Sequence, residues 1–253
     1  MNDSVIFGAN IAKKYSKSSA TAGLFVFVFT NQFVCDIMKY NSLLLEGILK
    51  FSWIFFDVGS TLVDEAAAYD HRAREMLSGT DISFADFDKK RTELAMEGLD
   101  GNSAAIEFFG LTKTPWHSED EVLFCDAKMT LEALKSRGYK IGIIANQNEG
   151  LEERLRSFGI FEYFDLVVSS EEIGAAKPDK LIFEKALAMA GCAPCEALMV
   201  GDRLDNDIFP AKAIGMGTAW IKSGLAAHQD DGFALGKADF IIQKLSDLVE
   251  CGL

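Results

Sequence analysis

The chain of 253 residues carries 38 acidic and 25 basic residues, which gives a formal net charge of −13, and 49% of its residues are hydrophobic. Such a chain can bury a sizeable core without disulfides or metals, and its composition excludes a disordered, collagen-like or coiled-coil protein. The negative charge disfavours nucleic acid and anionic membranes as partners, because like charges repel. An anionic substrate would need a bound cation or local lysines to reverse the field.

Five cysteines are an odd number, which does not fit a secreted disulfide framework, so we expect a cytoplasmic protein. Residues 1–50 differ in character from the rest of the chain. A lysine-containing stretch precedes an apolar run at 24–29, which is the outline of a signal peptide. That run is too short for a signal core or a membrane span. We expect residues 1–50 to be a poorly ordered N-terminal extension and expect no membrane partner.

From residue 51 onward, short apolar runs alternate with helical patterns. Residues 52–56 form an apolar run that predicts a buried strand, and residues 64–116 show helical spacing without a convincing strand. Further along the chain the pattern predicts, in order, helix 126–137, strand 140–145, helix 151–158, strand 165–169, helix 179–190, strand 197–200, helix 208–214, strand 218–221, strand 239–242 and a terminal helix. This alternation predicts a parallel sheet covered by helices on both faces.

Polar residues follow directly after three of the predicted strands. Asp57, Asn146 and Asp202 occupy these positions. Parallel strands end at one edge of their sheet, and ligands of open α/β sheets bind outside that edge. The sequence therefore predicts a functional site where these three side chains meet.

Four short motifs of the chain resemble those of the haloacid dehalogenase superfamily, in the expected order. The motifs are Asp57-Val58-Gly59-Ser60-Thr61-Leu62, Ala145-Asn146, Lys177-Pro178, and Gly201-Asp202 with Asn206-Asp207. The resemblance implies a subfamily I-like member with an α/β, Rossmann-like core over residues 51–64 and 119–253 and a small inserted α-helical cap over residues 65–118. It also implies a magnesium-dependent hydrolysis of phosphate esters through an aspartyl-phosphate.

The residue types fit that chemistry. Asp57 can act as a carboxylate nucleophile, which divides phosphoryl transfer to water into two easier displacements. The amides around Gly59 and Ser60 can form an anion nest, and Thr61 can donate a hydrogen bond to a phosphoryl oxygen. Lys177 offers a positive charge to the nucleophile and to the transferring group.

Further residues are assigned from the second and fourth motifs. Asn146 is a candidate phosphate-binding residue. Asp202 and Asp207 concentrate negative charge, which in an anion site requires a cation such as Mg²⁺. The resemblance implies Asp57, the carbonyl of Gly59 and Asp202 as metal ligands with Asp207 in support, whereas we expect Asp205 only to cap a helix in solvent.

Two positions depart from the pattern of the family's phosphatases. Gly59 stands where they usually carry a second aspartate, the general acid for the leaving group, and Ala145 stands where they carry Ser or Thr. The carbonyl of glycine keeps the metal site intact, but the proton donor is lost. By residue type His71, Glu65 or His117 could replace it from the cap, although we expect each to be a surface residue.

The sequence favours a magnesium-dependent phosphatase that acts on a small phosphorylated metabolite. A dehalogenase is the first alternative, but it needs no metal, so the pair Asp202 and Asp207 argues against it. A phosphonatase would need a Schiff-base lysine, and nothing marks Lys89 or Lys90 as one. The remaining alternative is a non-catalytic, phosphate-binding regulatory protein, which the missing acid favours and the retained motif residues disfavour.

Overall fold

The computed structural model describes residues 51–147 and 150–253, and the expected extension over residues 1–50 lies outside the described residues. The strands described are β1 (Trp53–Phe56), β2 (Val63–Asp64), β3 (Val122–Leu123), β4 (Lys140–Ala145), β5 (Leu166–Ser169), β6 (Ala197–Gly201), β7 (Gly217–Ile221) and β8 (Phe240–Ile242). The α-helices described are α1 (Ala66–Leu77), α2 (Phe84–Met96), α3 (Gly101–Phe108), α4 (Ala127–Ser136), α5 (Leu151–Ser157), α6 (Ser170–Ile173), α7 (Lys180–Ala190), α8 (Phe209–Ala213) and α9 (Asp247–Glu250).

Six of the strands form one sheet in the order β5-β4-β1-β6-β7-β8, and every neighbouring pair in it is parallel. The predicted α/β class and parallel sheet are therefore confirmed. The chain passes from β1 to β4 and β5 on one side and then crosses back to β6 on the other side of β1. This reversal of direction beside β1 is where open α/β sheets bind their ligands.

Successive residues of β1 point to opposite faces of the sheet, as the pleat requires. Ile54 and Phe56 belong to a core cluster that includes Leu134 of α4. Phe55 belongs to a second cluster, which includes Phe183 of α7. Helices thus cover both faces of the sheet, and a strand buried on both sides explains why the sequence of β1 is apolar throughout.

Helices α1, α2 and α3 lie between β2 and β3, and we call residues 66–108 the helical insertion. It has its own small core, which includes Leu77 of α1, Phe87 of α2 and Ala105 of α3. Strands β2 and β3 form an antiparallel pair at the base of this insertion. The sequence does not predict this pair, because two residues are too few to show the alternation of a strand.

None of the described helices is long and apolar enough to cross a membrane.

Substitution of Leu134 by alanine should lower the free energy of unfolding by about 2–5 kcal/mol, because a fully buried side chain would leave a cavity between α4 and the sheet. Met129 lies on the same helix with 62% of its surface exposed, so Met129→Ala should change stability by no more than about 0.5 kcal/mol. Urea denaturation of both variants measures this difference, and equal losses would contradict the packing described here.

Candidate active site

Three strand ends bring polar side chains to one edge of the sheet, as the sequence predicts. Asp57 follows β1, Asn146 follows β4 and Asp202 follows β6. The amide of Asp57 donates to the carbonyl of Val200 at 2.9 Å, so the ladder between β1 and β6 continues up to Asp57. Because β4 and β6 both flank β1, the three residues meet beside the reversal point of the sheet.

Lys177 lies at the centre of this edge and its side chain is completely buried. Its Nζ lies 2.6 Å from Oδ1 of Asp57 and 2.7 Å from Oδ1 of Asp207. The side chain of Asp207 is 1% exposed, whereas that of Asp57 keeps 16% of its surface open. Of the two carboxylates held by the lysine, Asp57 is therefore the one that a ligand can reach.

Asn146 positions the segment that carries Lys177. Its Oδ1 accepts from the amide of Lys177 at 2.6 Å, and its Nδ2 donates to the carbonyl of Lys177 at 2.7 Å. This two-point contact clamps the backbone of Lys177 to the end of β4. The sequence predicts Asn146 at this edge of the sheet but does not reveal this clamp, because the two residues are 31 positions apart.

Asp207 reaches the site from an irregular turn. A π-helix over Leu204–Ile208 follows β6, and the amide of Arg203 donates to Oδ2 of Asp207 at 3.1 Å. A Cβ atom on Gly201 would lie 2.5 Å from the carboxylate of Asp207. Glycine at position 201 is therefore what allows Asp207 to pack against the end of β6.

The carboxylates of Asp57, Asp202 and Asp207 place one oxygen each within 4.8 Å of the others. Desolvation, then the charges of Asp207 and Asp57, raise the pKa of Asp202. Desolvation also raises the pKa of Asp207 to about 6, although Lys177 opposes the shift. Burial alone would lower the pKa of Lys177, but the carboxylates of Asp207 and Asp57 outweigh this effect and raise that pKa. The cluster holds more negative charge than its one buried lysine balances.

The loop after Asp57 is a compact turn. The amides of Thr61, Leu62 and Val63 all donate to the carbonyl of Val58, and Ser60 has a left-handed φ of 53°. The buried hydroxyl of Thr61 has no hydrogen-bond partner among the described residues. An unsatisfied buried hydroxyl is costly, so this group is available to a ligand that offers an acceptor.

Glu65 lies against Gly59, which sequence analysis does not foresee. A Cβ atom on Gly59 would lie 2.5 Å from each carboxylate oxygen of Glu65, and Glu65 is only 9% exposed. Nη2 of Arg154 donates to Oε1 of Glu65 at 2.7 Å, and Nε of Arg154 donates to Glu121 at 2.8 Å. Burial raises the pKa of Glu65 to about 7 against the opposing charge of Arg154. The expectation that Glu65 lies on the surface is therefore wrong.

Asp57, Gly59 and Glu65 line one cavity of about 200 Å³, together with Asp202 and Arg154. This cavity lies outside the carboxyl ends of β1 and β6. A larger open cleft of about 940 Å³ shares Asn146, Gln147 and Arg154 with it as lining residues.

His71 and His117 do not line this cavity. Their rings stack on each other with centroids 3.6 Å apart. His71 pairs with Asp120 at 2.7 Å, and His117 lies between Glu75 and Glu119 at 2.9 and 3.0 Å. Both imidazoles are therefore held by carboxylates away from the described lining of the cavity.

Asp205 is exposed, as expected. Rather than capping a helix, it lies within the π-helix Leu204–Ile208, and its carboxylate accepts from the guanidinium of Arg203 at 2.7 Å. Ala145 is 3% exposed; it belongs to the core cluster that includes Leu134 and also lines the cavity of Asp57.

The carboxyl edge of the parallel sheet holds an accessible carboxylate, a buried lysine and an acidic pair. This arrangement is typical of an α/β enzyme with a charged active site. Comparison with known families agrees, since the haloacid dehalogenase-like hydrolase family matches residues 54–221. The chain belongs to this family of hydrolases, which confirms the resemblance inferred from the four motifs.

Relatives of the chain include named phosphatases. A glyceraldehyde 3-phosphate phosphatase from Methanothermobacter thermautotrophicus is 30% identical over 222 residues, covering 78% of this chain and 97% of the relative. A protein of the same name from Pyrococcus furiosus is 40% identical over 49% of this chain and 52% of that protein. A ribulose-1,5-bisphosphate 5-phosphatase from Halopiger xanaduensis is 35% identical over 52% of this chain and 57% of that protein.

Solved structures show the same fold. A haloacid dehalogenase phosphatase from Thermococcus onnurineus aligns with a TM-score of 0.56 and 25% identity over 79% of this chain and 97% of that chain. A predicted phosphoglycolate phosphatase from Haemophilus somnus aligns with a TM-score of 0.62 and 22% identity, over 82% of this chain and 100% of that chain.

Substitution of Lys177 by methionine should lower the free energy of unfolding by about 3–5 kcal/mol, because it leaves the buried carboxylates of Asp57 and Asp207 without their cation. Lys180 is a matched control, since its side chain is 71% exposed and lies 3.6 Å from Glu184. Lys180→Met should cost less than about 1 kcal/mol. Urea denaturation compares the two, and a small effect at both positions would contradict the buried ion-pair network.

Proposed function

We propose that the protein is a magnesium-dependent phosphatase that hydrolyses a small phosphorylated metabolite through an aspartyl-phosphate on Asp57. The observation that carries this proposal is the position of the Asp57 carboxylate. It lies on the described cavity, it is held by Lys177 at 2.6 Å, and it is grouped with Asp202 and Asp207. Family membership and the names of the relatives support the same class of reaction.

The donor set fits Mg²⁺. This ion prefers carboxylate and carbonyl oxygens and keeps several waters when it binds a phosphorylated substrate. Asp57 and Asp202 would supply carboxylate oxygens and Gly59 a backbone carbonyl, with Asp207 in support. Three carboxylates lie within 4.8 Å of one another around the ammonium group of Lys177, and a divalent cation would offset their excess negative charge. The bound ion would supply positive charge to the phosphoryl oxygens.

In the proposed reaction, an oxygen of Asp57 attacks the phosphorus, and the bond from phosphorus to the ester oxygen breaks. Water then attacks the aspartyl-phosphate, which releases inorganic phosphate and regenerates the Asp57 carboxylate. Lys177 holds Asp57 in place and offers positive charge as negative charge moves onto the phosphoryl oxygens. The free hydroxyl of Thr61 and the backbone at Ser60 are the proposed phosphoryl contacts.

The rest of the substrate would occupy the larger cleft. Arg72 and Lys113 line it with Trp116, which provides cationic and aromatic surface next to the reacting centre. Relatives of this chain are named for phosphatase activity on glyceraldehyde 3-phosphate and ribulose 1,5-bisphosphate. We therefore propose a small phosphorylated sugar as the substrate class.

The structure gives less support to the carbon-directed alternatives. A dehalogenase attacks carbon and needs no metal ion, so the acidic pair of Asp202 and Asp207 favours a phosphatase over it. Lys89 and Lys90 both lie next to Glu93, at 3.9 and 2.7 Å, and neither lines the cavity that holds Asp57. Neither lysine is therefore placed to form a Schiff base beside the nucleophile.

Hydrolysis of p-nitrophenyl phosphate tests the proposed activity, since its leaving group needs little protonation. Turnover should require Mg²⁺ and should fall by at least about a hundredfold in Asp57→Asn, because the amide is a poor nucleophile. Asp205→Asn is the control, because Asp205 is an exposed aspartate between Asp202 and Asp207 and its substitution should keep wild-type activity. Magnesium and phosphate binding without turnover would favour the non-catalytic alternative and contradict the proposal.

An acid quench during turnover tests the intermediate. The peptide that contains Asp57 should gain the mass of one phosphoryl group, because acyl phosphates survive brief exposure to acid. The Asp57→Asn variant should show no such peptide. Mass spectrometry of the digested protein measures the modification, and its absence during rapid turnover would contradict the covalent route.

A further inference from the structure

Hydrolysis of an alkyl phosphate ester leaves an alkoxide, which is a poor leaving group unless it receives a proton as the bond breaks. General acid catalysis of such a step is worth about 10²–10⁴ in rate. A side chain that provides this proton must line the cavity that contains Asp57. It must also be able to release a proton and to accept one again.

Six titratable side chains line that cavity in the part of the chain that the structure describes. They are Asp57, Glu65, Tyr69, Arg154, Asp202 and Arg203. Asp57 is the proposed nucleophile and Asp202 a proposed cation ligand, while the two arginines stay protonated. Burial raises the pKa of Tyr69 far above neutral, which makes its phenol a weak acid. Among the described residues, Glu65 is the side chain that remains.

The position of Glu65 is specific. Both of its carboxylate oxygens lie where a side chain on Gly59 would begin, 2.5 Å from the Cβ that such a side chain would add. Gly59 is two residues from Asp57 in the same compact loop. The carboxyl of Glu65 therefore fills the space beside the nucleophile that the absence of a side chain at position 59 leaves open.

We propose that Glu65 is a catalytic residue that donates a proton to the leaving oxygen of the substrate, an inference that rests on the phosphatase function proposed above. In the first step the carboxyl proton moves to the ester oxygen as its bond to phosphorus breaks, so the alcohol leaves neutral. In the second step the Glu65 carboxylate accepts a proton from the attacking water, which restores the starting state.

Two neighbours orient this carboxyl. Arg154 donates to Oε1 of Glu65 at 2.7 Å, and Glu121 holds the same guanidinium from its Nε side at 2.8 Å. Glu121 in turn accepts from the indole of Trp116 at 2.6 Å. Arg154 and Glu121 are therefore positioning residues, and Glu65 alone is placed at the loop of the nucleophile.

The test compares two substrates of similar shape, p-nitrophenyl phosphate and phenyl phosphate, whose leaving groups differ in acidity. Glu65→Gln keeps the shape of the side chain and removes its proton donor. The variant should keep kcat/KM for p-nitrophenyl phosphate within about threefold and lose at least tenfold more on phenyl phosphate, because only phenoxide needs substantial protonation. Equal losses on both substrates would overturn the proposal.

Glu184→Gln is the matched control, since it makes the same change at a glutamate that is 48% exposed, pairs with Lys180 and does not line the cavity. It should affect both substrates in the same proportion. A kcat/KM of Glu65→Gln for p-nitrophenyl phosphate close to the wild-type value shows that phosphoryl transfer to Asp57 is intact, whereas kcat should fall on both substrates because the second step loses its base. Absence of turnover in the wild-type protein would instead be the failure of the proposed function, so the two failures are distinguishable.

A compensating substitution keeps the test independent of folding defects in a single variant. Gly59→Asp alone should impair activity, because its Cβ would collide with the Glu65 carboxylate. Combination with Glu65→Ala vacates that space and supplies a new carboxyl beside Asp57. The double variant should recover the phenyl phosphate activity that Glu65→Ala lacks. No recovery in a double variant that melts at the wild-type temperature would also overturn the proposal.

Discussion

The ammonium group of Lys177 is the constraint on which the rest of the site depends. A completely buried lysine is tolerated only when opposite charges satisfy it, and here Asp57 and Asp207 do so at 2.6 and 2.7 Å. These contacts join three separate segments: the end of β1, the segment before α7 and the π-helix after β6. The shape of the site therefore follows from the requirement to pair this one cation.

The negative charge of the site is only partly balanced by Lys177. One buried cation faces the carboxylates of Asp57, Asp202 and Asp207, which lie within 4.8 Å of one another. Desolvation of these carboxylates, and then their mutual repulsion, raises the pKa of Asp202 and of Asp207, although Lys177 opposes the shift at Asp207. A cluster with no excess negative charge would attract a cation only weakly, and a cluster without Lys177 would repel a phosphate. The partial balance suits the proposed function, in which the site would bind both a cation and a phosphate.

Much of this arrangement is predictable from the sequence because the relevant signals are local. Apolar runs mark the strands, and Asp57 and Asp202 directly follow two of them, so the position of the site at the sheet edge comes from short-range pattern alone. The partners of these residues are not predictable in this way. Glu65 meets Arg154 across 89 residues, and no spacing rule indicates that contact. His71 and His117 have suitable side chains for acid–base chemistry, but their neighbouring carboxylates hold them elsewhere.

Two glycines of the site each contact a carboxylate from elsewhere in the chain, and a sequence motif does not reveal either contact. At Gly201 and at Gly59 a Cβ atom would lie 2.5 Å from a carboxylate, that of Asp207 in one case and that of Glu65 in the other. Each glycine is therefore the complement of an acidic side chain that approaches the backbone from elsewhere in the chain. In the sequence, Gly59 looks like the loss of a functional group. In the folded protein, the same position is the space that admits Glu65, so an acidic side chain from a later part of the chain occupies it.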